Sequence, residues 1–247
     1  MEKAKEEFLN RKKEIEKYFD FLSKIEHDTP VLHYSLTGVS DIHEIDKELQ
    51  KILKANGFLL IYNLVEAVTR ITLIEYLNSI SKSNISIKKL HEDIQRLWVS
   101  NKRFADKKIG NKSEEMIFQE LYNEIVSNTL VSFTTELKND KGEVIKQFVK
   151  LSGNVDADVI RKLAKEYGFD SNVGKAEKAG ADLVTIRTNR NYLAHGIKTF
   201  TECGGKFSVI DLCKYKKNAL FYLESILSNI ESHIKGEKYQ VSKKKKK

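Results

Sequence analysis

Hydrophobic positions recur with a helical period along most of the 247-residue chain. Phe8, Ile15, Phe19, Leu22 and Ile25 space out one apolar face in the charged stretch 2–27, which predicts an amphipathic first helix. His27-Asp-Thr-Pro30 ends it, and Val31–Ser40 reads as a connector, so residues 1–40 form an N-terminal helix plus linker. Asp41-Ile-His-Glu44 has the form of a capping box and predicts a long helix reaching Leu77 or Ser79, with Gly57 kinking or dividing it. From Gly57 onward this helix is apolar nearly all round, the pattern of a central helix. Its polar exceptions, Asn63, Glu66 and Arg70, fall at i, i+3 and i+7 on one stripe. Either Glu66 and Arg70 pair locally, or the stripe answers charged groups on another helix.

Further helices are predicted over Ile87–Phe104, with Leu90, Ile94, Leu97 and Trp98 inward, and over Ser113–Ser127, with Ser113 as cap and Ile117, Leu121 and Ile125 inward. Trp98 reads as a core anchor. The texture then changes: Thr129–Thr135 is β-branched and aromatic, residues 139–142 are turn chemistry, and Glu143–Leu151 alternates. A small hairpin near 129–151 is expected as an insertion. Asp156–Tyr167 is a short helix stopped by Gly168, and Ala181–Gly196 is another, capped by Gly196 or running on through Ile197. Thr201–Lys206 reads as a turn, and the last helix, Leu212–Ile234, starts from Ser208 or Asp211 with Leu220, Leu223, Ile226, Leu227 and Ile230 packing inward. The body is thus one mainly α domain over 41–236, followed by a basic tail, 237–247, with the composition of a disordered segment.

Composition narrows the class. A single proline with 40% apolar and 32% charged residues suits a globular helical protein. The net charge is +8, but Lys243–Lys247 supply five of those charges, so the body carries only a mild positive bias. Residues 1–28 lack the apolar run of a secretion signal, and the apolar window Phe58–Leu77 is interrupted by Asn63, Glu66, Arg70 and Glu75. A cytoplasmic protein with a buried core helix fits better than a membrane span. Cys203 and Cys213 lack the spacing of a disulfide framework or a zinc site, and the six histidines show no H-x-x-x-H pattern. Glycine-rich phosphate loops are absent, so neither metal nor cofactor is expected.

The helix Ala181–Gly196 carries the remaining chemistry. Leu183, Ile186 and Leu193 share one narrow sector, Arg190 falls in its middle, and Asn191 and His195 stack four apart on the flank. An arginine on a core-facing stripe needs a partner; read by itself, the set is a satisfied structural pair or solvated surface. R-N-Y-L-A-H-G at 190–196, however, resembles the R-N-x-x-x-H signature of the HEPN superfamily. L-I-Y-N-L-V-E-A at 60–67 and Ser152-Gly-Asn-Val-Asp156 with Ile160-Arg161 are similar to its MAE-type branch, and the likeness runs over Asp41–Ile234. It implies a compact helical bundle, often a metal-independent ribonuclease acting as a homodimer, with Arg190, Asn191 and His195 as site residues and Asn63 and Glu66 as supporting ones.

The chemistry suits those residues. RNA brings its own nucleophile, the 2′-hydroxyl, and needs only proton transfer and a cation at the phosphorane. Histidine titrates near neutrality and arginine stays charged. One histidine is thin for both acid and base, and two chains bringing two motifs together would supply the second. Many toxins of the superfamily carry a modifiable tyrosine two residues after the histidine; here that residue is Ile197. The leading expectation is therefore an endoribonuclease, a toxin or phage-defence component with RNA as substrate and a neutralising antitoxin or defence protein as partner. The alternative is a non-catalytic RNA-binding or interaction module, which the small body charge favours.

Overall fold

The computed structural model describes residues 1–26, 30–36, 39–106, 113–139, 141–151 and 153–241. Eight α-helices and two small hairpins follow one another among them: α1 (Glu2–Ile25), β1 (Val31–Leu36), β2 (Val39–Glu44), α2 (Lys47–Lys82), α3 (Glu92–Asp106), α4 (Glu114–Val126), β3 (Glu136–Lys138), β4 (Val144–Gln147), α5 (Ala157–Tyr167), α6 (Gly180–Ala194), α7 (Phe200–Gly204) and α8 (Val209–Lys235). The fold is mainly α, as the hydrophobic period predicts.

Helix α2 is the axis of the bundle. Its 36 residues span about 54 Å at 1.5 Å per residue. It packs against α1, α6, α7 and α8. Enclosure explains its all-round apolar surface: Phe58, Ile61, Tyr62, Leu64, Val65, Leu73, Tyr76 and Leu77 are all buried. By length and composition α2 is apolar enough to cross a membrane, yet it forms the core of this bundle. Gly57 does not divide it, since α2 runs unbroken over Lys47–Lys82. A Cβ there would lie 3.4 Å from Cζ of Phe19, so the glycine lets α1 approach closely. All five apolar positions predicted for α1 are buried, and Phe8, Ile15 and Phe19 join the same core as α2 and α8. Trp98 is fully buried.

Several stretches depart from expectation. Val31–Leu36 and Val39–Glu44 are no connector but pair as an antiparallel ribbon, with Leu32 opposite His43 and Tyr34 opposite Asp41. Asp41 caps no helix: its carboxylate accepts from its neighbour Ile42 N at 2.8 Å and from Tyr34 Oη at 2.9 Å. The start of α2 falls instead to Asp46, which accepts from Leu49 N at 2.7 Å. Further on, Thr129–Thr135 is not the first strand of the predicted hairpin. Val131 N bonds Ile85 O and Phe133 N bonds Ser81 Oγ, which pins this stretch against the end of α2, and the hairpin forms later between Glu136–Lys138 and Val144–Gln147.

Thr201–Lys206 is likewise helical in its first half, because Thr199 and Glu202 make a reciprocal capping box that starts α7. The helices α4, α5 and α8 begin and end within a few residues of their predicted bounds, with Ser113, Asp156 and Ser208 as side-chain caps and Gly168 in the left-handed region after α5. The helix predicted from Ile87 is broken at its start: Ile87–Lys89 form a separate 3-10 turn, Leu90 is extended, and α3 begins only at Glu92. Residues 27–29 of the predicted α1 stop, Gly38, the basic Lys107, Lys108 and Lys112, and the Lys243–Lys247 run lie outside the described residues.

Candidate functional site

The face of α6 built from Leu183, Ile186 and Leu193 is buried, with Asn189 beside it. Asn189 is satisfied there: its Nδ2 donates to Thr185 O at 2.9 Å, and its Oδ1 accepts from Cys203 Sγ at 3.4 Å. Burial pushes the Cys203 thiol pKa up, so this sulfur stays protonated and packs α7 onto α6.

Arg190 points toward its own chain and remains half-buried. Its guanidinium carbon lies 4.5 Å from the centroid of the Tyr62 ring on α2. Its Nη1 donates to Gly153 O at 3.2 Å and to Asn191 Oδ1 at 3.0 Å. Asn191 in turn donates through Nδ2 to Asn154 Oδ1 at 2.6 Å. The loop before α5 thus grips α6 and α2 with four consecutive residues. Gly153 and Asn154 hold Arg190 and Asn191, Val155 N donates to Tyr62 Oη at 3.0 Å, and Asp156 pairs with Arg187 while its Oδ1 caps α5 at Val159 N. Gly153 has φ +71°, in the left-handed region that favours glycine, while a Cβ there would make only ordinary contact with Arg190 Nη1 at 3.6 Å.

His195 stands apart from this knot. It is the C-cap of α6 and is exposed. Gly196, at φ +65°, turns the chain out of the helix, with Ile197 N bonding Tyr192 O at 2.9 Å and Gly196 N bonding Leu193 O at 3.3 Å. This Schellman closure ends α6 at the predicted glycine and keeps the helix from running on through Ile197. Lys198 follows, its Nζ 4.0 Å from the centroid of the Tyr192 ring. The histidine therefore sits on open surface at a helix end, with a rigidly held Arg190–Asn191 pair one turn behind it.

The supporting pair from α2 is placed differently. Asn63 is exposed, and Glu66 bonds Arg70 on its own helix at 2.5 Å, the local pairing of the two readings. Glu66 forms no ion pair with Arg190 or His195 among the described residues. What links it to the site is Tyr62: burial raises the phenol pKa, the Glu66 carboxylate adds to that, and Arg190 opposes it. Tyr62, Arg187, Gly153, Asn154 and Asp156 are thus the residues that sequence reasoning did not assign. The signal for the last three lay in the 152–156 stretch, where a glycine stands three residues before a helix cap.

A family model described as MAE_28990-like HEPN matches residues 1–239. The chain belongs to this HEPN family. The match takes in α1 and the β1–β2 ribbon as well as the stretch 41–234, and it supports a nuclease-like or RNA-related role for this HEPN domain. No curated protein and no solved structure matches the chain.

Proposed function

We propose that this HEPN domain is a metal-independent endoribonuclease, acting in the cytoplasm as a toxin or phage-defence component. One observation carries the reading. Arg190 spends both its protein hydrogen bonds through Nη1, so Nη2 and Nε have no bonding partner among the described residues while the group is fixed by a ring, a carbonyl and an amide. A cation held this way is ready for a phosphate oxygen without first reorganising.

In the proposed reaction the 2′-oxygen of RNA attacks the adjacent phosphorus. Its proton passes to a general base, and the departing 5′-oxygen takes a proton from a general acid. The products are a 2′,3′-cyclic phosphate and a 5′-hydroxyl. His195, exposed and beside Arg190 on the helix, is the proton-transfer group, a role typically worth 10²–10⁴-fold in rate. Asn191 orients Arg190. A second copy presenting its own His195 would complete the acid–base pair, and an antitoxin or defence protein covering this open helix end would silence it. A second reading, a non-catalytic RNA-binding or interaction module, draws on the same knot: Arg190 and Asn191 also brace the 153–156 loop, a purely structural task.

The deciding experiment is cleavage of a mixed RNA substrate in EDTA by the wild type and by His195→Ala. Because His195 is exposed, the variant keeps its fold by circular dichroism. Loss of cleavage in a folded variant supports the nuclease. Undiminished cleavage removes His195 from catalysis, and absence of cleavage by the wild type favours the module.

A further inference from the structure

The polar stripe of α2 continues past the site. Asn63 and Glu66 follow Tyr62 closely, and Arg70 stands two turns beyond it, about 12 Å along the axis at 1.5 Å per residue. There a shallow groove of about 800 Å³ opens between α2 and the run Val144–Leu151, with Arg70, Ile145, Lys146, Lys150 and Leu151 among its lining. Three of the lining side chains are cations, and no carboxylate lines the groove among the described residues. Arg70 is held through Nη2 by Glu66 at 2.5 Å, which leaves its Nε and Nη1 without a bonding partner among the described residues. Lys146 is exposed, its Nζ 5.7 Å from the centroid of the Phe104 ring. Lys150 is exposed and forms no ion pair among the described residues. Leu151 stands two residues before Gly153, whose carbonyl holds Arg190. Groove and motif are thus neighbours both along α2 and along the chain.

We propose that this groove is a phosphate track, which seats the backbone of an RNA single strand to one side of the phosphate at Arg190. The track rests on the reading of this domain as one that acts on RNA, whether it cleaves or only binds it. Its chemistry selects a polyanion: three cations line it, and Glu66 offsets one of them. A concave site does not fit the flat surface of an acidic membrane. The lining carries no aromatic side chain, so it offers bases no stacking platform and reads phosphates rather than sequence. The mild body charge is no obstacle, because cations gathered in one groove act locally. The hairpin gains a task as well, since β4 and the residues after it supply one wall of the track.

The probe is a fluorescent RNA single strand methylated at every 2′-oxygen, which the proposed reaction cannot cut. Binding to the full chain is read by anisotropy. Lys146→Gln with Lys150→Gln should weaken binding roughly tenfold at low salt and lower the slope of log affinity against log salt by about 1.4, at about 0.7 per phosphate contact. Lys13→Gln with Lys17→Gln removes the same charge from the outer face of α1 and should leave both quantities near wild type. All four lysines are exposed, so both variants keep the wild-type circular dichroism. Equal losses from the two double variants overturn the track, because net charge alone then explains them. A wild type that fails to bind the probe overturns it, and so does a groove variant that binds as tightly as wild type. The nuclease reading fails separately: a wild type that binds the probe through the groove but leaves unmodified RNA intact keeps the track and loses the cleavage.

Discussion

Tyr62 on α2 carries Arg190 of α6 on its ring face, guanidinium carbon 4.5 Å from the ring centroid, and with its hydroxyl takes the backbone N–H of Val155 at 3.0 Å. One side chain therefore registers three elements: the central helix, the motif helix and the loop before α5. Position in the core, at 0% exposure, makes it rigid enough to do so.

Two substitutions separate the ring from the hydroxyl. Tyr62→Phe keeps the surface under Arg190 but strands a buried N–H, which costs about 1–3 kcal/mol of stability. Tyr62→Leu loses the cation–π contact too, worth about 1–2 kcal/mol in a partly desolvated site. If the reaction needs Arg190 in place, RNA cleavage should survive in the first variant and fall roughly tenfold in the second. Urea unfolding and cleavage rates measured on both variants check the split; equal rates would mean that the ring does not position Arg190.

Asp156 makes a similar case from the loop. Its side chain is 1% exposed, caps α5 and pairs with Arg187. Asp156→Ala should lower stability by about 2–3 kcal/mol, from the lost cap and the broken ion pair. Asp156→Asn keeps a capping oxygen and should recover about 1 kcal/mol of that. Denaturant midpoints order the three proteins, and a midpoint for the alanine variant equal to wild type would contradict the pairing.

How much of this was legible depends on where each element finds its partner. Helices α1, α5 and α8 were readable because a one-sided apolar stripe and a local cap specify them, as Phe8, Ile15 and Phe19 or Asp156 and Gly168 show. The β1–β2 ribbon was not, since Val31, Leu32 and Ile42 are all exposed and no buried face imposes an alternation. At the site, the demand of Arg190 for a partner was visible, but the partner's identity was not. A carbonyl of Gly153 and the face of Tyr62 leave no charge in the sequence to match, whereas Glu66, the visible charge, is satisfied one turn away by Arg70. On α4 one position departs from its period: Ile125, expected inward with Ile117 and Leu121, is 38% exposed.

Glycine offers a contrast between two contacts of the central helix. A Cβ on Gly204 would fall 1.8 Å from Lys51 O, so α7 meets the α2 backbone directly. On Gly57 it would meet side chains alone, the ring edge of Phe19 at 3.4 Å and Leu212 Cδ1 at 3.8 Å. Gly204→Ala should therefore cost about 3 kcal/mol or more by forcing α7 off α2. Gly57→Ala should lie within about 1 kcal/mol of wild type, because helix propensity offsets a small shift of Phe19. Thermal melts of the two variants test the ranking, and the reverse order would mean that α7 is not seated as described.

The last prediction concerns acid. His233 on α8 is 5% exposed, and its Nε2 lies 3.2 Å from Tyr76 Oη. That hydroxyl already donates to Tyr167 O at 3.0 Å, so its oxygen is left to accept the N–H of a neutral imidazole. Desolvation, with help from Lys238 and His91, lowers the His233 pKa from 6.5 to about 4. The sign follows from proton counts. Between those values the unfolded chain binds a proton that the folded chain refuses, so stability is full above pH 6.5 and falls as the pH drops toward 4. The whole loss is at most about 3–4 kcal/mol at 1.36 kcal/mol per unit. Carboxylates held below their usual range, such as Asp211 and Glu231, begin to lose stability only at lower pH, which leaves pH 6.5 to 5 as the window for histidine. His233→Gln keeps a donor for Tyr76 and cannot ionise. Its urea midpoint should drop less than the wild-type midpoint does between pH 7.5 and 5, although its stability at pH 7.5 should be lower by about 1–2 kcal/mol for imperfect packing. Parallel pH slopes for the two proteins would show that His233 is not the group that senses acid.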